Sequence, residues 1–180
     1  MDYLIYILFG VLLLIVIWFI VTKNKLNQTL VKIDEASSGI DVALTKRYDV
    51  LTKMMDSVKE YRKYEKETLF EVINLRKNMT IEEKNKENVK MTKNIEKINL
   101  LVENYPDLKS SENFKVLQQS IVEVEEHLQA ARRMYNSNVS IFNQMLVTIP
   151  SNIVASMSGM TKKEFFEADE IKKNDIKIEL

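Results

Sequence analysis

The chain opens with a block of hydrophobic residues and only later settles into a period. Residues 3–22 (YLIYILFGVLLLIVIWFIVT) form a run of twenty without a charge. That is the length a helix needs to cross a hydrocarbon core of ~30 Å. Tyr3 and Tyr6 lie near one end and Trp18 near the other, where amphipathic rings sit at the headgroup level. From Leu26 the apolar positions recur at spacings of three and four: Leu26, Leu30, Ile33, Ile40, Leu44, Leu51, Met54, Val58, Tyr61, Leu69, Val72. This predicts a first helix over 26–78 with a seam close to a coiled-coil heptad. Gly39 falls inside it, a place where another backbone could approach closely.

Thr80 with Glu83 three residues on is a capping box, so a second helix is expected over 81–104. Its stripe is Val89, Ile95, Ile98, Leu101 and Val102, and Tyr105-Pro106 ends it, because the residue before proline is pushed out of helical geometry. Ser110 or Ser111 caps a third helix over 111–149. Its stripe is the cleanest in the chain, from Phe114, Leu117 and Ile121 through Leu128, Tyr135, Val139 and Phe142 to Ile149. Ser151 is expected to cap a short helix over 152–157. Thr161 with Glu164 reads as a second capping box, opening a last amphipathic helix whose Phe165 and Phe166 either pack on the bundle or, flanked by Lys162 and Lys163, dip into a membrane. The fold class expected is all-α: an N-terminal transmembrane helix, then an elongated antiparallel bundle of three long helices plus short C-terminal helices. The divisions are an anchor over 1–25, a helical domain over 26–171 and a charged tail over 172–180.

Short connections make neighbouring helices antiparallel, so the third helix is expected to run parallel to the first. At 1.5 Å per residue the second helix is about 36 Å long against about 80 Å for the first, so it covers only the far half of it. The stripe Leu30, Ile33, Ile40, Leu44, Leu51 then has no partner within the chain. Such a stripe does not stay bare in water, which makes it the expected oligomer interface.

Charge changes the picture in two ways. Lys23, Lys25 and Lys32 follow the apolar run, while only Met1 and Asp2 precede it. The positive-inside rule then expects a single-pass protein of the cell membrane, N-terminus outside and helical domain cytoplasmic. No A-x-A site follows the run, which disfavours a cleaved signal peptide. With 26 basic and 26 acidic residues interspersed, no basic stripe is available for phosphates, so nucleic acid is not an expected partner.

The chain has no cysteine, one histidine and three glycines. Disulfides and thiolate metal sites are excluded, and phosphate-cradling loops need more glycine. His127 beside Glu123, Glu125 and Glu126 is read as a solvated position rather than a metal ligand. Arg47, Glu65, Arg76 and Asn138 interrupt the apolar seams. They are read as fixing helix register and partner choice. No catalytic, cofactor-binding or metal-binding set is expected.

Three segments carry a resemblance: IDEASSGIDVALTKRYDVLTKMMDSVKEY (33–61), ENYPDLKSSENFKVLQQSIVEVEEHLQAARRMYNSNVSIFN (103–143), and IPSNIVASMSG (149–159) followed by EFFE (164–167). With the anchor, they resemble the LemA family of bacterial membrane proteins. The resemblance implies a helical bundle behind one membrane helix and no established catalytic activity. Its matching polar residues, Asp41, Arg47, Tyr48, Asp49, Arg132, Tyr135, Asn136 and Asn143, are expected to form a structural seam between the first and third helices. Residues 79–92 are rich in lysine and asparagine where relatives tend towards alanine, which implies a looser second helix. The expected function is a non-enzymatic scaffold that self-assembles through its membrane-proximal helix, shaping membrane or presenting a platform. The alternative is an accessory subunit docking another membrane protein, such as a membrane protease or envelope-stress component. Membrane lipid, further copies of the chain and a membrane-protein partner are the expected contacts.

Overall fold

The computed structural model describes residues 2–61 and 70–167. Five helices occur among them: α1 (Asp2–Tyr61), α2 (Ile81–Val102), α3 (Pro106–Ser110), α4 (Glu112–Val147) and α5 (Ser151–Met157). No strand is present among the described residues. The fold is all-α, with a long apolar N-terminal helix leading into a helical bundle. The chain divides into two compact units. One comprises residues 1–36 and 134–165; the other comprises 37–133 and 166–180.

In the first unit, α1 passes from the apolar run into packed helix without a break. Side chains from Tyr3 to Ile17 are exposed, whereas Leu26, Ile33 and Ala36 are buried. Residues 134–147 of α4 run antiparallel to this stretch. Asn138 Nδ2 donates to the Lys32 carbonyl at 3.1 Å, and Tyr135 lies in the field of Asp34.

The second unit is organised by α1 residues 37–61, α2, α3 and α4 residues 112–133. Its core holds Leu51, Met54, Val58, Met91, Ile98, Val102, Leu108 and Phe114. α4 runs antiparallel to α1 here too, pairing Arg47 with Glu125 and Gly39 with Ala131. By contrast, α2 runs parallel to α1. Lys84 meets Ser37 and Asp41, and Asn88 and Thr92 meet Arg47.

That topology corrects the expected connectivity. The first helix does not extend to residue 78: from Phe70 to Thr80 the chain is not helical. The expected stretch over 62–69, with Glu65 and Leu69, lies outside the described residues, as does the tail over 172–180. Residues 70–80 run antiparallel to α2, so α2 starts from the opposite end to the one a tight hairpin would give. Ile73 and Leu75 pack on the core while Val72 points to solvent. This two-residue alternation belongs to extended chain. Such a segment cannot satisfy its own backbone groups. Side chains of α2 do so instead. Asn94 accepts from the Glu71 amide at 2.8 Å and donates to the Glu71 carbonyl at 2.9 Å, while Glu87 Oε2 accepts from the Asn74 amide at 2.8 Å. Asn78 turns the chain with φ 60°, a conformation asparagine tolerates better than most residues. The Thr80–Glu83 capping box then opens α2 with both reciprocal bonds present.

The stripe expected to be bare is consumed inside one chain. Ile33, Ile40, Leu44 and Leu51 are buried and Leu30 is half-buried. Because α4 is antiparallel to α1, it descends along the membrane-proximal part of α1 rather than departing from it. These residues therefore do not form an exposed oligomer interface. Gly39 admits no close backbone: a Cβ there would meet Ala131 Cβ at 3.8 Å, an ordinary contact.

The C-terminal elements also differ from expectation. Ser111 caps α4 through its Oγ, which accepts from the Phe114 amide at 3.3 Å. Ser151 does not cap α5. Its hydroxyl donates back to the Met145 and Thr148 carbonyls at 2.7 and 2.9 Å, occupying acceptors that the end of α4 leaves open. Residues 160–167 form no helix, so the Thr161–Glu164 capping box is absent. Tyr135 Oη donates to the Glu164 carbonyl at 3.0 Å. Asn143 donates to the Lys163 carbonyl at 2.8 Å and accepts from its amide at 2.9 Å. These bonds replace the ones a helix would have made. Phe166 is buried and Phe165 exposed.

Candidate functional site

The polar residues of the second unit converge on α2. Its inward face carries Lys84, Glu87, Asn88 and Asn94, all buried, alongside Met91, Ile98 and Val102. Their spacing places them on one helical stripe. Buried polar groups are tolerated only when hydrogen-bonded. Arg47, extending from α1, meets that demand for α2 and α4 together. Its Nη1 donates to the Asn88 side-chain oxygen and to the Asn88 carbonyl at 3.4 Å. Its Nη2 donates to Thr92 Oγ1 at 3.1 Å and pairs with Glu125 Oε2 at 3.0 Å. A planar guanidinium can serve several acceptors at once, which an ammonium cannot do in the same geometry.

A second cluster lies about one and a half turns along α1. The buried ammonium of Lys84 donates to Ser37 Oγ at 2.9 Å and pairs with Asp41 at 2.7 Å. On the neighbouring face, Glu87 holds Lys90 at 2.6 Å as well as the Asn74 amide. Burial pushes the Glu87 carboxyl up, but the Lys90 ammonium and the Asn74 amide outweigh it and hold it below the usual carboxylate value. In the first unit, burial and the charges of Glu164 and Asp34 push the Tyr135 hydroxyl above its usual value.

In the second unit, the Lys84–Asp41 pair borders an open cleft of about 560 Å³ between α1 and the extended segment. Asp41, Thr45, Tyr48, Asp49, Arg76, Lys77 and Lys84 supply its polar lining, with Leu44, Leu75 and Met79 beneath. Arg76 is fixed at its rim by Glu83 at 2.8 Å. The arrangement offers cations and anions in alternation on a wet surface, suited to complementary polar contact.

The eight resemblance-based seam residues therefore divide by place. Arg47 bridges α1, α2 and α4. Asp41 pairs with α2 instead of α4, and Tyr48 and Asp49 line the cleft. Tyr135 and Asn143 bind the extended C-terminal segment rather than α1. Arg132 and Asn136 are half-buried on α4. The α1–α4 link at the membrane-proximal end comes from Asn138. Sequence reasoning missed Lys84, Glu87, Asn88, Asn94 and Glu125. The signal was there: 84, 87, 88, 91, 94 and 98 share a face, and reading it needed polar residues to count as inward. Of the lysines and asparagines of α2, Lys84, Asn88 and Asn94 lie on its packing face, while Lys86, Lys93 and Asn99 are exposed. His127 is exposed, and among the described residues no group of three His, Cys, Asp or Glu is placed to hold a metal.

A sequence model described as the LemA family matches residues 36–180. Protein LemA of Metamycoplasma hominis is 32% identical over 178 residues, covering 95% of this chain and 81% of that protein. Magnetosome protein MamQ 2 of Paramagnetospirillum magneticum is 31% identical over 67 residues, 37% of this chain and 25% of that protein. Magnetosome protein MamQ of Magnetospirillum gryphiswaldense is 26% identical over 66 residues, 37% of this chain and 24% of that protein.

Proposed function

Because the chain belongs to the LemA family of membrane proteins, we propose that it is a non-enzymatic scaffold, anchored by α1, that self-assembles and holds its helical domain at the membrane surface for partners. The observation that supports this reading is the continuity of α1 in the first unit. The apolar run and the packed residues Leu26, Ile33 and Ala36 lie on one unbroken helix. The packed part of the first unit, carried this way, is held directly at the bilayer, where a flexible linker would leave it free to reorient. The polar residues of the second unit support the same reading, because the most buried of them are used in packing: Arg47, Lys84, Asn88 and Asn94 each hold two elements together. Copies meet through surfaces other than the Ile33–Leu51 stripe, which the chain uses internally. Lys23, Lys25 and Lys32, which follow the apolar run, support a cytoplasmic helical domain by the positive-inside rule.

The test is the mass of the full chain extracted in mild detergent, measured by light scattering. Several copies per particle are expected. One copy per particle contradicts the scaffold. One copy that co-purifies in fixed ratio with a different membrane protein replaces it with the accessory-subunit reading.

A further inference from the structure

We propose that the corner between α4 and α5, residues 147–157, is a second membrane contact: it dips into the surface of the bilayer that α1 crosses. The inference rests on the anchored reading above and on four observations within the first unit.

The first is register. Asn138 of α4 binds the Lys32 carbonyl of α1, and the two helices are antiparallel. Equal steps of about 14 Å at 1.5 Å per residue lead from Asn138 to Val147 and from Lys32 to Lys23. Val147 therefore stands level with the end of the apolar run. Ile149 follows Val147 by two residues, and α5 starts two residues after that.

The second is exposure. Ile149, Ile153 and Met157 are 78%, 53% and 72% exposed. They recur every four residues, so Ile153 and Met157 share the outer face of α5, while Val154 and Ala155 face inward and are buried. Three large apolar side chains on one outer corner form a patch. The other large exposed apolar surface of this unit is that of α1, which begins at Tyr3.

The third is charge. The sequence between Arg133 and Lys162 contains no Asp, Glu, Lys, Arg or His, in a chain that is 29% charged. Charges return with Lys162 and Lys163, both exposed, and Lys23 and Lys25 flank the same level on α1. An apolar face bordered by lysines is the composition of an element lying in the headgroup region, buried to ~5–10 Å.

The fourth is backbone satisfaction. Polar backbone groups cannot enter apolar surroundings unpaired. The corner closes its own: Asn152 N to the Thr148 carbonyl at 2.9 Å, Ser158 N to Val154 at 3.1 Å, and Met160 N to Ala155 at 3.1 Å. The Ser151 hydroxyl takes the Met145 and Thr148 carbonyls.

The chain lacks cysteine, so single-cysteine variants of the full protein carry an environment-sensitive fluorophore without interference. Ile153→Cys and Met157→Cys test the corner. Ile15→Cys reports the span. Met134→Cys is exposed on α4, about 20 Å back along the helix from Val147. Each is reconstituted into vesicles of neutral and anionic phospholipid, with and without lipid bearing a quencher in the upper acyl chain. The expected result is a blue shift and loss of emission at positions 153, 157 and 15. Position 134 is expected to be quenched only by aqueous iodide. Iodide quenching without lipid quenching at 153 and 157 overturns the proposal while leaving the anchor intact. Shielding of those positions from both quenchers means that another copy covers them, and also overturns it. Loss of lipid quenching at position 15 as well removes the anchored reading and the proposal together.

Discussion

Arg47→Ala tests the polar packing of the second unit at its centre. Arg47 is 4% exposed and reaches Asn88, Thr92 and Glu125 from one guanidinium. Removing one partner of a fully buried ion pair costs ~3–5 kcal/mol, because the remaining charge is left uncompensated. Glu125 retains 29% of its side-chain exposure, so water recovers part of its solvation and the lower end of that range applies. Asn88 stays buried and loses a charged donor, a loss of ~1.5–3 kcal/mol on the scale of hydrogen bonds to charged groups. These contributions overlap, and together they place the destabilisation at about 3 kcal/mol. For a chain of this size that lowers Tm by ~6–12 °C. The reference is Lys53→Ala, an exposed position one helical turn from Asp49, where the loss is at most ~0.5 kcal/mol. Arg47→Lys should recover little of the loss, because an ammonium cannot span the three acceptors. The assay is thermal unfolding of the full chain in mild detergent, followed by circular dichroism. Equal melting temperatures for Arg47→Ala and Lys53→Ala would refute the reasoning, since they would mean that Arg47 is solvated.

Ile40→Asp combined with Leu44→Asp should abolish cooperative unfolding and lower helix content, because both side chains are buried within one chain; a variant that only dissociates, with helix content intact, contradicts that placement. Against burial, the Lys90 ammonium and the Asn74 amide hold the Glu87 carboxyl below the usual carboxylate value. Its contribution is therefore present above the ordinary carboxylate pKa and is lost as pH falls through the lower folded value. Glu87→Gln should flatten that acid limb in Tm against pH, and an unchanged limb sinks the assignment. A single cysteine at exposed Val122 should resist an impermeant thiol reagent in whole cells and react after permeabilisation; ready labelling of intact cells reverses the orientation.

How much of this was legible in the sequence depends on which signal each element carried. The apolar run, the Thr80–Glu83 box and the α4 stripe were legible because local chemistry and period agree there. Phe114, Leu128, Tyr135, Val139 and Phe142 are all buried as their spacing required. The end of α1 and the direction of α2 were not legible. A helical period was carried through Val72, but the partners for residues 70–80 are Asn94 and Glu87, distant side chains that no local rule identifies. That error propagated. A tight hairpin would have made α2 antiparallel to α1 and sent α4 away from the membrane, leaving the Leu30–Leu51 stripe bare. The extended return reverses both directions and buries the stripe. The last miss has the same origin: Thr161 and Glu164 have the residue types of a capping box, yet Tyr135 and Asn143 compete for the backbone and hold it extended. The cleft was half legible, since Asp41, Tyr48 and Asp49 were singled out but Arg76, Lys77 and Lys84 were not placed beside them.

The anchored scaffold requires α1 to pass unbroken from the apolar run into the packed residues of the first unit. Hydrogen exchange of the full chain in lipid bilayers measures this directly, at the amides from Trp18 to Ala36. The account predicts continuous protection through Thr22, Lys23, Asn24 and Lys25, as slow as at Ile33. Fast exchange confined to residues 22–28, between two protected stretches, would show a hinge there and contradict an unbroken α1.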